Sequence, residues 1–348
     1  MTLPRPLTSL VGALGALLLL GAAACGPIGL TTLRSAVPAA VEGVTPDGPN
    51  VAIAAQAVQQ VGVQQTADVP PGRILYVRDG NLWLWQGGTS RQFSEGGTWF
   101  QPAFSPDGKD LAYVYWTFNF SDVFVMASDG TKPQRLTRGQ SSSLADSSWA
   151  FRPVWSPDGT RLAYISDANS WFPQVWIMAR DGTARRQISV STFEQDSWVD
   201  MISWDPSGNR LAVTAAPNIR DSSQIYLIDV AKGTSEKLTT HANGAFDPSF
   251  SPDGATIAYI GRSAPQGELW VRSLDGSLQA HTDRLPNVRS PSWSPDGRSL
   301  AVLAPQNGAF EIFIFSLRKT ASGYELGEPR QLTRDAAVDP MSGLTWAP

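Results

Sequence analysis

The chain of 348 residues is short of the side chains on which most metal and thiol chemistry depends. It has one cysteine, Cys25, and two histidines, His241 and His281. A single cysteine cannot close an intramolecular disulfide, and two histidines without a cysteine partner or H-x-x-x-H spacing do not predict a zinc site. Positive charge is also scarce, because 27 Lys and Arg stand against 31 Asp and Glu, a net charge of -4. This balance gives no electrostatic reason to expect a nucleic-acid partner.

The first 25 residues have an apolar stretch that is too short for a comfortable transmembrane span. Arg5, the stretch "LVGALGALLLLGAAA" and the small residues before Cys25 are typical of an export signal. Cys25 resembles the lipobox cysteine of bacterial lipoproteins, which becomes the lipidated first residue, although Ala22 stands where that motif usually has Leu. We therefore predict a lipoprotein-type signal peptide at residues 1–25 with lipidation at Cys25. An ordinary secretory signal with an incidental cysteine is the alternative.

Residues 26–71 contain no aromatic residue and little charge. A segment without aromatics has little to bury, so we predict a flexible tether that holds a domain away from a membrane. The rest of the chain is different, with most of the 31 Gly, 26 Pro and 13 Trp. That composition favours many tight turns between short aromatic-rich strands.

One phrase, "FSPDGKDLAYV", recurs in variants five times along the chain. In Ser-Pro-Asp-Gly, Pro presets φ, Asp tolerates the third turn position, and Gly adopts the left-handed conformation that closes a hairpin. An aromatic residue precedes each turn, and an alternating apolar segment follows it. The aromatic positions are 51, 49, 46 and 43 residues apart: Phe104, Trp155, Trp204, Phe250 and Trp293. Steps of this size are typical of propeller blades.

Two more strands follow in each repeat, and the last one ends near "LT". Four strands graded from apolar to polar describe one blade. The segment 74–94 lacks an opening strand, whereas the chain stops at "LTWAP", which matches the start of the repeat phrase. We predict an all-β fold, a six-bladed β-propeller over residues 72–348, in which residues 344–348 complete the first blade.

These repeats resemble the TolB-type, WD-like propeller family in their aromatic-Ser-Pro-Asp-Gly phrase, Asp-Gly turn and Leu-Thr ending. The resemblance covers about residues 72–348 and is much more specific for fold than for function. TolB also carries an N-terminal α/β domain that contacts its partners, and the segment 26–71 is too short to be one. The resemblance implies a non-enzymatic scaffold for protein or ligand binding, and makes a role in the Tol system doubtful.

Catalytic signatures are lacking in the sequence. There is no G-x-S-x-G and no Walker motif. Turn geometry alone accounts for the repeated Asp of each phrase, and packing between blades accounts for the aromatic residue before it, so we predict no metal site and no cofactor. Without a fixed acid pair, we predict a protein that is not an enzyme; a glycosidase or polysaccharide lyase in the central funnel is the alternative.

Aromatic residues outside the repeat phrase are the more informative ones. Both hairpin turns of a blade point to one face of the ring, so the other connections lie on the opposite face. In blades two to four these connections are rich in aromatics, and we predict them to form a ligand-binding face: Trp99, Phe100, Trp116, Phe118, Phe120, Trp149, Trp171, Phe172 and Trp198, with Phe193 beside them. The alternative is that these loops bury each other's aromatics.

Together these observations predict a membrane-tethered, extracytoplasmic propeller that binds a protein, peptide or glycan of the cell envelope. We expect a monomer, exported and lipid-anchored on the extracytoplasmic or periplasmic side. A purely structural platform in an envelope complex is the other non-enzymatic alternative.

Overall fold

The computed structural model describes residues 70–143, 146–263 and 266–348. The predicted signal sequence, Cys25 and nearly all of the predicted tether lie outside this part of the chain. The described residues contain no helix, and their strands form six separate sheets, each corresponding to one blade. The prediction of an all-β, six-bladed propeller is confirmed.

Each blade is an antiparallel sheet with the first strand of the repeat innermost; five blades have four strands and blade 6 has five. Blade 1 has β1 (Arg73–Arg78), β2 (Asn81–Gln86) and β3 (Thr89–Gln92), and blade 2 has β4 (Trp99–Phe104), β5 (Asp110–Trp116), β6 (Ser121–Ala127) and β7 (Gln134–Arg135). Blade 3 has β8 (Ala150–Trp155), β9 (Arg161–Ser166), β10 (Gln174–Ala179) and β11 (Arg186–Gln187), and blade 4 has β12 (Trp198–Trp204), β13 (Arg210–Ala216), β14 (Gln224–Asp229) and β15 (Ser235–Lys237).

The remaining strands form blades 5 and 6 and close blade 1. Blade 5 has β16 (Ala245–Phe250), β17 (Thr256–Gly261), β18 (Glu268–Ser273) and β19 (Gln279–Thr282). Blade 6 has β20 (Arg289–Trp293), β21 (Ser299–Gln306), β22 (Ala309–Thr320), β23 (Gly323–Leu326) and β24 (Arg330–Gln331), and β25 (Thr345–Ala347) is the last strand. Strand β22 is long enough to pair with β24 along its first half and with β23 along its second half.

The last strand of the chain is the inner strand of the first blade, as the sequence predicts. β25 pairs antiparallel with β1, with Ile74 opposite Trp346 in the register. Trp346 is buried, and its indole Nε1–H donates a hydrogen bond to the carbonyl of Pro71 at 2.9 Å. This pairing covers an edge of β1 that would otherwise be open, and it joins the two ends of the described chain.

The Ser-Pro-Asp-Gly turns are closed by hydrogen bonds that the sequence motif supplies. In blade 2 the Ser105 hydroxyl donates to the Asp107 carboxylate at 2.7 Å and accepts the Asp110 amide at 2.9 Å. Gly108 follows with a φ of 67°, in the left-handed region that favours glycine. The same Ser–Asp bond occurs in blades 3, 5 and 6. The turn therefore depends on its Ser and Asp as much as on Pro and Gly.

The hydrophobic core lies between adjacent blades. One cluster combines Ala112 and Val125 of blade 2 with Leu162, Tyr164 and Met178 of blade 3. The aromatic residues before the turns are buried in four of the five complete repeats: Trp155, Trp204, Phe250 and Trp293. Phe104 is only partly buried, and the Arg73 guanidinium lies over its ring, 4.7 Å from the ring centroid. These positions fill space between blades, in agreement with the packing interpretation.

Candidate functional site

The connections of the ring alternate between two faces. The turns that join first to second and third to fourth strands lie on one face, which we call the turn face. The second-to-third and blade-to-blade connections lie on the other, which we call the loop face. We use "arc" for the described residues of the six loop-face connections around blades 2 to 4: residues 93–98, 117–120, 136–143 with 146–149, 167–173, 188–197 and 217–223.

Buried polar residues at the start of third strands fix the blade-to-blade connections. Asp122, fully buried at the start of β6, accepts the Thr137 hydroxyl at 2.7 Å and the Gly139 amide at 2.8 Å. Thr137 in turn accepts the Val123 amide at 2.9 Å, so the threonine of the "LT" ending clamps the outer strand to the third strand. Gln224 with Thr239 and Glu311 with Thr333 repeat this arrangement. The first residues of these blade-to-blade connections on the loop face are therefore held in place by hydrogen bonds to buried side chains.

An aromatic cluster centred on Trp116, the last residue of β5, borders the arc. The ring of Trp116 is 5.0 Å from that of Trp149 and 6.2 Å from that of Phe100, measured between centroids. All three side chains are half-buried, and they pack on the core cluster that contains Phe151. Phe193 packs edge-on against Tyr226 at 5.3 Å. This part of the predicted set forms a packed base, as the loop-packing alternative expects.

Two of the predicted aromatics lie in the core and not on the loop face. Trp99 is only 2% exposed; its ring is 4.6 Å from that of Tyr113, and its indole Nε1–H donates to the Glu95 carbonyl. Phe120 is 8% exposed, with the Arg135 guanidinium over its ring. The prediction failed for these two because Trp99 begins an inner strand and Phe120 directly precedes β6, so each points into its blade.

Two others are exposed at the tips of loop-face connections. Phe118, between β5 and β6, is 83% exposed, and Trp171, between β9 and β10, is 52% exposed. Phe172, next to Trp171, and Trp198, the first residue of β12, are half-buried. Two exposed rings at corresponding positions of neighbouring blades are the members of the predicted set that a ligand can reach without rearrangement.

The structure adds Ile219, which the search for aromatics missed. Ile219 is 63% exposed and lies between β13 and β14, the connection of blade 4 that corresponds to those of Phe118 and Trp171. Three consecutive blades therefore present one exposed apolar tip each. The fourth large exposed apolar side chain of the described residues, Met341, is also on the loop face. A search for any large apolar residue in these connections would have found Ile219.

A charged group at the centre of the ring was also missed. The inner strands β4, β8, β12, β16 and β20 each have a bulge. Bulges of different blades contact each other: the Arg152 amide donates to Gln101 Oε1 at 2.8 Å, and the Ser290 amide donates to Asp247 Oδ2 at 2.8 Å. These four residues have a positive φ between 48° and 55°. In the sequence, each of these four residues is a polar residue three positions before the repeat aromatic, and this pattern could have indicated a polar group on the inner strands.

Asp200 lies in this central group and not among the acids of the loops. Burial raises the pKa of the Asp200 carboxyl; the Arg152 guanidinium opposes this rise, Asp247 adds to it, and Arg289 opposes it. These four residues belong to blades 4, 3, 5 and 6, so they meet at the axis of the ring. The structure thus brings together two carboxylates that appear unrelated in the sequence.

In the described ranges, no group of three His, Cys, Asp or Glu side chains has the spacing to hold a metal ion. No helix within this part of the chain is long and apolar enough to cross a bilayer.

Comparison with known proteins identifies the repeat. The sequence profile of the TolB beta propeller domain matches residues 144–282. A protein TolB homolog of Chlorobium luteolum is 33% identical over 168 residues, which cover 48% of this chain and 34% of that protein. The uncharacterized peptidase YuxL of Bacillus subtilis is 26% identical over 198 residues, with 45% and 28% covered.

The fold comparison agrees with the sequence comparison. TolB from Acinetobacter baumannii has a similar structure, with a TM-score of 0.61 and 20% identity over 80% of this chain and 67% of that chain. The chain spans about a third of the length of the curated relatives that it matches. Its repeats, its ring of six blades and these likenesses support a propeller of the TolB type.

Proposed function

We propose that this chain is an exported, lipid-anchored propeller that binds a protein, peptide or glycan partner of the cell envelope on its arc, without catalysis. The observation that carries the proposal is the row of exposed apolar tips Phe118, Trp171 and Ile219 on three consecutive blades. Large apolar side chains exposed together are uncommon on a soluble monomer unless they bind something.

The half-buried cluster around Trp116 supports this proposal. Trp116 ends β5 directly before the connection of Phe118, and the cluster packs on the core, so it provides a firm base beside the exposed tips. Loops held by a rigid scaffold are the usual carriers of binding residues. Aromatic side chains in such a position supply contact area at a low cost in conformational entropy.

The direction of the proposed anchor is compatible with binding on the loop face. The described chain begins at Pro70, and Arg73 pairs with Ala347, where β25 ends on the turn face. The Arg73 guanidinium also donates to the carbonyl of Gly108, in a turn of that face. The described chain therefore enters the propeller on the turn face, opposite the arc.

A crosslinking pull-down from native envelopes tests the proposal. The full chain is compared with the Phe118→Ala, Trp171→Ala double variant, in which both changes are at exposed positions. The Glu236→Ala, Lys237→Ala variant, on the exposed outer strand β15, is the matched control. We expect one partner to be captured by the parent and the control and lost by the aromatic variant. Equal capture by all three would refute a binding role for the arc and favour the structural-platform alternative.

An enzymatic alternative has one observation in its favour. Asp200 and Asp247 lie together at the axis, and burial raises the pKa of the Asp200 carboxyl, as a general acid of a glycosidase or lyase requires. Incubation of the full chain with a panel of envelope polysaccharides tests this. Product formed by the parent and lost in Asp200→Asn would establish the enzyme, and the absence of product from every polysaccharide in the panel would count against it.

A further inference from the structure

Two exposed carboxylates are held close together on the blade 4 side of the arc. The Asn218 side-chain amide donates to Glu194 Oε1 at 3.4 Å and to Asp221 Oδ2 at 3.1 Å. The Glu194 amide also donates to the Pro217 carbonyl at 2.9 Å, which joins the connections 188–197 and 217–223. Asn218 is itself oriented, because its side-chain oxygen accepts the Arg220 and Asp221 amides. Two negative charges thus share a single neutral donor.

A third carboxylate in the same connection is incompletely satisfied. Asp196 Oδ1 is shielded from solvent and has no hydrogen-bond partner among the described residues. An unpaired buried acceptor is costly. Ile219, with its exposed apolar side chain, lies between Asn218 and Arg220 in the neighbouring connection. Acceptors and an exposed apolar contact are therefore combined in one small region.

Negative charge is concentrated on the arc and not over the whole loop face. The six connections of the arc contain six acids and two bases, a net charge of -4. The acids are Glu95, Asp146, Asp167, Glu194, Asp196 and Asp221, and the bases are Arg138 and Arg220. The other six connections of the loop face contain four acids and three bases, a net charge of -1. These connections are residues 79–80, 238–244, 262–267, 283–288, 307–308 and 332–344. The acids are Asp79, Asp283, Asp335 and Asp339, and the bases are Arg262, Arg284 and Arg334. The exposed apolar tips and the excess negative charge thus lie on the same half of the face.

We propose that the partner of the arc is a protein that presents a cationic segment, with an arginine or lysine beside apolar side chains. The cationic group binds between the Glu194 and Asp221 carboxylates, and the apolar neighbours pack on Ile219 and Trp171. Charge complementarity selects this partner over an acidic or neutral one and speeds its association. This inference rests on the proposed function, since it names the chemistry of the partner bound by the same surface.

A displayed library of random peptides tests the chemistry without knowledge of the partner. The library is selected on the full chain, and the enriched sequences are synthesised and measured by fluorescence polarisation. We expect enriched peptides with a net positive charge and at least one aromatic or large aliphatic residue. Raising NaCl from 50 to 500 mM should weaken their binding several-fold, because exposed charges are screened over a few ångströms at the higher salt.

Variants separate this inference from the proposed function. Glu194→Gln with Asp221→Asn should weaken the enriched cationic peptides about tenfold, whereas Glu236→Gln, which removes one exposed acid of β15, should have no effect. Acidic or neutral peptides that need Phe118 and Trp171 but not the carboxylates would overturn the inference and leave the proposed function standing. If no enriched peptide depends on either pair of residues, both fail.

Discussion

The strand that closes the ring gives the most direct test of the fold. Replacing Trp346 by alanine removes a buried indole from the interior of blade 1 and its hydrogen bond to the Pro71 carbonyl. Truncation of a buried tryptophan costs about 3–5 kcal/mol, which includes the cavity left behind. The unfolding entropy of a domain of this size is roughly 0.6 kcal/mol per kelvin, so a loss of about 4 kcal/mol lowers Tm by about 7 °C.

A matched variant distinguishes ring closure from ordinary loss of packing. Trp155 occupies the corresponding position in the continuous blade 3; it is similarly buried and donates from Nε1 to the Ala103 carbonyl at 3.0 Å. Trp155→Ala should therefore cost about the same 3–5 kcal/mol and leave unfolding cooperative. Deletion of residues 344–348 should cost more than either substitution, because it also exposes the edge of β1 along Ile74 and Leu75.

Calorimetry and size-exclusion chromatography on the full chain are the assays. The deletion should broaden the transition and produce self-association, since an open strand edge pairs with other chains. A single sharp transition within about 1 °C of the parent would refute the closure argument. Equal Tm losses for Trp346→Ala and Trp155→Ala with a broadened transition only in the deletion would support it.

Three further measurements test the side chains that hold the blades together. Asp122→Ala leaves the Arg135 guanidinium without its buried carboxylate, and urea denaturation should show that the free energy of unfolding falls by about 3–5 kcal/mol. A fall below about 1 kcal/mol would contradict a stabilising role for Asp122. The Ser156 hydroxyl and neighbouring donors lower the pKa of Asp158 from 3.8 to about 2, so its contribution to stability is present above pH 4 and lost as pH falls towards 2. Asp158 is exposed, so this contribution is roughly 1 kcal/mol, and Asp158→Asn should show a shallower decline of Tm with acid than the parent does. Burial lowers the pKa of the His241 imidazole below 6.5, so on acidification this histidine is protonated in the unfolded chain before it is protonated in the folded chain. Tm should therefore fall as pH drops below 6.5, and His241→Gln should remove this part of the pH dependence.

The placement of the loops could be predicted from topology, whereas residue type did not predict which of their side chains are exposed. The alternation of connections correctly assigned the loops of blades 2 to 4 to one face. Choosing aromatic residues within them then included Trp99 and Phe120, which are buried, and omitted Ile219, which is exposed. Whether a ring near the end of a strand points into a blade or into solvent depends on the strand boundary to within a residue, and sequence patterns do not locate boundaries that finely.

The fold could be predicted from the sequence because its information is local and repeated. Each Ser-Pro-Asp-Gly phrase determines a hairpin within a few residues, five copies at regular steps specify the blades, and the partial repeats at the two ends indicate the closure by β25. The meeting of Arg152, Asp200 and Asp247 at the axis, and of Glu194 and Asp221 around Asn218, was decided only by the tertiary structure. These residues come from different blades or different connections, and their proximity depends on how the blades are arranged around the ring, which no local sequence signal encodes.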